Sequence, residues 1–560
     1  MGKISPPAIV WCVVAWTLTC GVTAGARAWE PTAAAVQEAV KGGDFAGFLA
    51  AAADWLAART PDAVDEPALS RLLDDPLFAD TVTRHRMIAA AKPDALAAFV
   101  KTAAANREFL SWLLGTTQAM NLYLEGGTPN GNDHVAALGV LRDIVVADAD
   151  ARHGMHLRLA LATALVHARQ HRAFGTGVPI DPVKRYLHFK QAQTAAELVP
   201  MFDDLTVWEY AKVVDCAASD DDLAWARAML RTMRPELVRE ARFIAMVSEV
   251  QYTSAKWGPP PHTFATVLNG GGKCGPRAWF GRMINQAFGV PVWGVKQPGH
   301  AAVGFLGDQG WKVKLGRGWE HSTWDGMNGK AFLEIVAARD HATDFSRAER
   351  LRWLADVLEP KERAVAVKAV ADGIRRKPGG PVTTHRLRPR TYPAPEAEER
   401  PATIPGLQHL LASDFSTSHQ ARVVPSFDRG KQVYFQKNSE GWAEYRVNIP
   451  AQETYGVTIG HAVANGTCRV RIYVGDTRIG WMHLNNTKGL WGKTKEWDFV
   501  LPKTDTVRFV FPPQRGVAVK WIELKAKGDA RPTAQDDEPT AVPASDEDDP
   551  RDPSTADGDT

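Results

Sequence analysis

Cys216, Cys274 and Cys468 lie in the body of this chain, and the surroundings of Cys274 suit a nucleophile. It follows the run Gly270-Gly271-Gly272-Lys273 and precedes Gly275-Pro276, after which Phe280, Ile284, Ala287 and Phe288 recur at helical steps until Gly289. A proline in the first turn and a glycine past the last predict a helix that opens at Cys274. The unpaired N–H groups and the dipole of such an end favour an anion, hence the thiolate, which is the attacking form of cysteine. Residues 290–295 read as a strand, and His300 opens a second. Gly307-Asp308-Gln309-Gly310 makes a hairpin turn before a third strand at 311–315. Neighbouring strands beside a helix can carry an imidazole to the helix's amino end, the geometry a Cys-His pair requires. A lone cysteine or histidine would be unremarkable; the ordered set carries the reading. Cys216, in a helical and acidic context, and Cys468, in a strand, are expected to be buried structural thiols. No second cysteine or histidine lies at ligand spacing from Cys274, so neither a metal nor any other cofactor is expected.

The segment 265–330 resembles the core of the transglutaminase-like superfamily, relatives of papain-type thiol proteases. The resemblance rests on Cys274 opening a helix, Gly289-Val290-Pro291 after it, Gly299-His300-Ala301 beginning a strand and Trp311 on the next. It implies an α+β papain-like core with Cys274 as catalytic nucleophile and His300 as base. Family members usually carry an aspartate four residues after that tryptophan, and here Leu315 stands in its place. Glu320, His321, Asp325 or Asn328 from the following loop are the alternatives for the orienting group, and Asp325 is the choice. The implied chemistry is acyl transfer on an amide of a protein or peptide substrate; hydrolysis and cross-linking share the same acyl-enzyme. The missing aspartate supports the rival reading, a non-catalytic extracytoplasmic binding or scaffold protein with a degenerate transglutaminase-like fold.

Residues 425–527 alternate apolar and polar in short runs, as in Tyr445-Arg446-Val447-Asn448-Ile449 and Val507-Arg508-Phe509-Val510-Phe511, which predicts an antiparallel β-sandwich. The stretches 441–450, 454–459 and 519–524 resemble the jelly-roll carbohydrate-binding modules of the galactose-binding-like group. Sugar rings present an apolar C–H face, so tryptophans flanked by amides make a platform for them. Trp481, Asn485, Asn486, Trp491 and Trp497 are the candidates, with a polysaccharide or glycan as partner.

These segments belong to a chain of 560 residues, long enough for two to four domains, in which 45% hydrophobic and 23% charged residues exclude wholesale disorder. Lys plus Arg number 66 against 64 for Asp plus Glu, without a long basic tract, so nucleic acid is not the expected partner. Lys3, an apolar stretch over 9–22 and Ala26-Arg27-Ala28 predict a cleaved secretory signal over 1–28. Gly21, Gly25 and Arg27 keep the apolar run below the roughly 20 residues of a membrane span. The protein is therefore expected to be extracytoplasmic, secreted or periplasmic, with no membrane span after cleavage. Residues 29–250 predict packed helices, with Val36, Val40, Phe45, Phe48 and Ala52 on one face and Leu157, Leu161 and Leu165 on another. The transglutaminase-like unit is set at 251–375, a proline-rich flexible linker at 376–424, and a disordered acidic tail at 528–560. Tryptophans 208 and 225, each beside an acidic helix start, are read as buried, with a docking surface as the alternative.

Overall fold

The computed structural model describes residues 29–62, 64–379, 382, 384–398 and 404–528. The expected signal at 1–28 and, but for Gly528, the expected acidic tail lie outside the described residues. Among the described residues no helix is long and apolar enough to cross a membrane.

The first half is a succession of helices from Ala33–Gly42 to Phe264–Gly270. Their starts are encoded locally: Thr32, Asp44, Asp65, Asp75, Asp133, Asp181 and Ser219 each accept a hydrogen bond from a first-turn N–H. Thr206 and Glu209 close a capping box. The acidic run Asp220-Asp221-Asp222 then falls in a first turn, where the dipole favours it. The Gly154–His167 helix departs from the one-faced helix expected of Leu157, Leu161 and Leu165, since every residue from Leu159 to His167 is buried. Ala160, Ala162, Thr163 and Ala164 line its other faces, and their small size lets neighbours approach from all sides.

The change of texture near residue 250 is not a boundary in packing. One hydrophobic core runs from Val36 and Leu161 through Phe202 and Tyr210 to Phe280, Ile284, Val303 and Phe305. The helices Ala342–Ala355 and Lys361–Arg376 return to set Leu351, Leu354, Ala371 and Ile374 against Leu56, Leu69, Phe78 and Val82. The segments 29–250 and 251–375 thus form one body. Helix Cys274–Ala287 is stitched into the helical region: Arg227 donates to the Ala287 carbonyl, and Gln286 donates to those of Lys212 and Asp215.

Beside that helix lies a small antiparallel sheet of β1 (Val292–Gln297), β2 (His300–Gly307), β3 (Gly310–Lys314), β4 (Thr323–Trp324) and β5 (Met327–Asn328), in the order β3-β2-β1-β4-β5. One face carries the helix. Trp293 of the other face stacks on Phe332 at 4.3 Å, and Trp319 stacks on the same ring at 5.3 Å.

The sandwich begins earlier than residue 425. Strands β6 (Leu407–Leu411), β7 (Thr417–His419) and β8 (Ala421–Pro425) lie inside the expected linker and join β9 (Lys431–Phe435), β10 (Gly441–Ile449), β11 (Glu453–Val463), β12 (Cys468–Val474), β13 (Thr477–Leu484), β14 (Gly492–Lys493), β15 (Trp497–Leu501), β16 (Thr504–Phe511) and β17 (Val517–Ala526). One sheet runs β13-β12-β16-β10-β7. The other runs β14-β11-β17-β9-β8, with β15 on β11 and β6 on β17. Tyr445, Ile459, Ile472, Phe509 and Leu524 fill the space between them.

Within the expected linker, the stretch 384–398 is an extended strap rather than a flexible tether. His385 meets Glu209 at 2.8 Å, the Leu387 N–H donates to Gly307, Arg390 donates to the Leu198 carbonyl, and the Glu396 carbonyl accepts from Gly430. Pro389, Pro393 and Pro395 hold the chain extended; Arg390 between them bonds the helical body, while Glu396 and Glu398 after them pair with Arg429 and Lys520 of the sandwich. The sandwich itself is seated on the helical body through a buried polar cluster. Arg234 contacts Glu236 at 2.6 Å and Glu249 at 3.6 Å, Tyr434 donates to Glu249 at 2.6 Å, and Asn465 donates to the Glu249 carbonyl.

Candidate functional site

Cys274 is the first residue of its helix, and Lys273 ahead of it offers no side-chain cap, so the terminal N–H groups are left for another acceptor. The preceding loop is held tightly. Gly271 takes a φ of +69°, and a Cβ at Gly272 would lie 2.3 Å from the Pro276 ring. Trp257 donates to the Gly271 carbonyl at 2.8 Å, and the Gly272 N–H donates to Gln251. Beside Gly275 there is open space. Cys274 is partly exposed, whereas Cys216 and Cys468 are buried. Burial pushes the Cys216 thiol up in pKa and that of Cys468 up to about 12.

Packing and register fix where His300 stands relative to this helix end. Gly281 sits against Val303, and the chain leaving the helix returns at Pro291, whose carbonyl accepts from Leu306. The helix therefore runs parallel to β2. Cys274 lies seven residues before Gly281, about 10 Å along a helix, and His300 lies three before Val303, about 10 Å along a strand. Both groups reach the same edge of the layer. Register sets the His300 side chain on the face of Gln297 and Ala302, while Val303 faces the helix. The His300 side chain thus leaves the sheet on the face away from the helix, at the tip of the β1–β2 hairpin and at the same end of the layer as Cys274.

The His300 ring is hydrogen-bonded through Nε2 to the backbone carbonyl of Leu315, at 2.5 Å. A carbonyl only accepts, so Nε2 carries a proton, and in the neutral ring Nδ1 keeps its lone pair. The orienting contact therefore comes from the position where the resemblance expects an aspartate, but from main chain. Leu315 has a φ of +61°, which turns the chain out of β3. Asp325 is placed elsewhere. With Gly326 it forms the two-residue turn of the β4–β5 hairpin, both at positive φ as a type I′ turn demands, and it is exposed. The alternatives are also engaged: Glu320 and His321 lie 3.4 Å apart as a pair, and Asn328 caps the following helix.

Gln297 is a residue the sequence reading missed. It is 8% exposed and faces His300 across the hairpin. Its amide donates to the Arg317 carbonyl at 2.9 Å and to Ser322 Oγ at 3.2 Å, and it accepts from the Arg317 N–H at 2.9 Å. A Cβ at Gly316 would strike Ala302 and Gln297, so the chain there passes directly over the sheet. An amide residue one turn ahead of the Gly-His pair was its only signal in the sequence.

On the sandwich, the proposed sugar-binding residues divide. Trp481, His483 and Trp497 lie together, with ring centroids 4.8, 6.0 and 6.1 Å apart, all partly exposed on β13 and β15. The Arg469 guanidinium lies 4.6 Å from the Trp481 ring and the Lys495 ammonium 4.2 Å from that of Trp497. Asn486 instead donates to Asn269 of the helical body, Asn485 gives its carbonyl to His461, and Trp491 packs against the large core. The seat also uses Trp225, whose ring packs against the large core and whose indole donates to the Lys488 carbonyl.

No family model and no curated protein matches this chain. Among solved structures, its C-terminal region is similar to carbohydrate-binding modules. The C-terminal CBM6 of LamC from Zobellia galactanivorans shares 18% identity over 21% of this chain and 98% of that one, with a TM-score of 0.20. The module CBM6cm-2 from Cellvibrio mixtus lichenase 5A, in complex with cellotriose, shares 20% over 21% and 95%, with a TM-score of 0.19. The CBM35 of Paenibacillus barcinonensis shares 22% over 21% and 99%, with a TM-score of 0.20.

Proposed function

We propose that this protein is an extracytoplasmic thiol acyl-transfer enzyme of the transglutaminase-like type, held on polysaccharide by its sandwich. The observation that supports the reading is that an uncapped, partly exposed Cys274 and His300, whose Nε2 is bonded to the Leu315 carbonyl, lie at the same edge of one helix–sheet layer. The Cys274 proton passes to Nδ1 of His300 while sulfur bonds to the carbonyl carbon of an amide. The tetrahedral oxyanion finds the free Cys274 N–H at the helix end. As the C–N bond breaks, the proton on His300 goes to the departing amine, and water or a second amine then takes the acyl group from sulfur. Trp481, His483 and Trp497 supply the ring surface for a sugar, which at Trp497 takes the place of the Lys495 ammonium. Binding there raises the enzyme's local concentration on its matrix.

An activated acyl ester tests the chemistry without knowledge of the substrate. With p-nitrophenyl acetate, the reading expects a burst of nitrophenol matching the protein concentration and a single acetyl group found by mass spectrometry on Cys274. A slow linear release with no adduct on Cys274 would instead favour the scaffold reading, which draws its support from the backbone carbonyl standing where a carboxylate is expected.

A further inference from the structure

We infer that Gln297 is a positioning residue, which clamps the 315–322 segment so that the Leu315 carbonyl orients His300 in place of an aspartate side chain. The inference rests on the proposed acyl-transfer role of His300 and deepens it.

Leu315 has no rigid strand to hold it: β3 ends at Lys314, and the chain leaves at a positive φ. Two residues on, both backbone groups of Arg317 are bonded to one side chain, the Gln297 amide. The same amide holds Ser322, whose hydroxyl in turn donates to the Gly318 carbonyl at 3.0 Å. Gln297 is the register partner of His300, so clamp and imidazole are built on the same hairpin tip. Burial leaves the Gln297 amide no water to replace these partners, which makes the loop position cost free energy to change. Replacing a carboxylate by a carbonyl has a chemical consequence. A carbonyl fixes the tautomer as an aspartate would, but it carries no charge to stabilise an imidazolium. In the proposed reaction the proton passes from sulfur to Nδ1 as the sulfur attacks. The Leu315 side chain takes no part in orienting the ring; it packs against the large core instead.

The test follows carbamidomethylation of Cys274 by iodoacetamide across pH in the full chain, alongside long-range ¹H–¹⁵N spectra of histidine-labelled protein with the His300 signals assigned from His300→Ala. The wild type is expected to show the Nε2–H tautomer and a His300-dependent rate near neutral pH. Gln297→Ala should mix the tautomers and slow alkylation roughly 10- to 100-fold near pH 7, the loss typical of removing an orienting partner from a working histidine. Its rate at a pH high enough for hydroxide to ionise the thiol should be unchanged. Gln297→Glu, which keeps the Arg317 N–H bond and loses both donations, should fall between. Leu315→Gly, which keeps the carbonyl and suits the positive φ, should match wild type. A folded Gln297→Ala or Gln297→Glu protein with wild-type tautomer and pH profile would overturn the clamp, as would loss of the tautomer in Leu315→Gly. If wild-type alkylation ignores His300 while the tautomer still depends on Gln297, the clamp stands as structure and the acyl-transfer reading fails instead.

Discussion

At the Cys274 edge the groups proposed to react sit at the ends of elements, the first residue of a helix and the first residue of β2. On the sandwich, the rings of Trp481, His483 and Trp497 project from within β13 and from the start of β15. The two placements suit different tasks. An element end exposes unpaired backbone N–H groups and lets loops close over a reacting centre, so polarity can be concentrated on one atom. A strand face offers a broad, pre-formed surface fixed by the pleat, which suits contact with a flat ligand but gathers no charge. The helical body serves both, since it buries the Cys274 helix and also seats the sandwich through Arg234, Glu249 and Tyr434.

The sharpest break in this comparison comes from Cys274→Ala. It should abolish acetylation and the nitrophenol burst completely while leaving retention on insoluble polysaccharide untouched; loss of both together would mean that the two regions are not separable. Next in size, Arg234→Ala leaves Glu236 and Glu249 buried without their cation and should cost about 3–5 kcal/mol, read as a fall in the urea midpoint. A change below 1 kcal/mol would show the seat to be incidental. Trp481→Ala and Trp497→Ala should each weaken polysaccharide retention roughly tenfold, the worth of one aromatic contact. Trp491→Ala, on the seat, should lower the unfolding midpoint without changing retention. Equal effects on binding from all three would erase the division between ring face and seat.

The smallest effect concerns the strap. The hydrogen bond from His385 to Glu209 raises the imidazole's pKa above its ordinary 6.5, against the opposing pull of burial. A raised folded value gives stability that is complete below the unfolded pKa and is lost as pH rises through the folded one. Amide exchange at Leu387, which bonds Gly307, should therefore quicken as pH climbs past the imidazole's ordinary 6.5 by more than the intrinsic base catalysis of exchange, worth on the order of 1 kcal/mol or less. His385→Ala should remove that excess.

Much of the candidate site was legible in the chain because its signals are local. Pro276 and Gly289 bracket the helix, Gly299 turns the hairpin, and Gly307 to Gly310 turns the next. What could not be read depends on contacts between distant segments. Main-chain atoms carry no residue identity, so a carbonyl serving as the His300 partner left no mark at Leu315. Asp-Gly at 325–326 is a hairpin turn signal, and it outweighed the carboxylate's suitability as an orienter. Alternation marked the sandwich strands, but it states only that side chains point in or out, not whether the outer side meets solvent or the helical body; Asn486 and Trp491 went to the seat for that reason. Prolines in 384–398 indicated extension, while the anchors that make it a strap, Glu209, Gly307 and Leu198, lie more than 75 residues away in sequence.

The joint action of sulfur and imidazole is tested most directly by the rate of Cys274 carbamidomethylation at pH 7 in wild type and His300→Ala, with Cys216 and Cys468 as internal references. The account expects Cys274 to react well ahead of the two buried thiols in wild type and to lose at least tenfold of that rate without the imidazole. Equal rates in the two proteins, or a Cys274 no faster than Cys216 and Cys468, would contradict it.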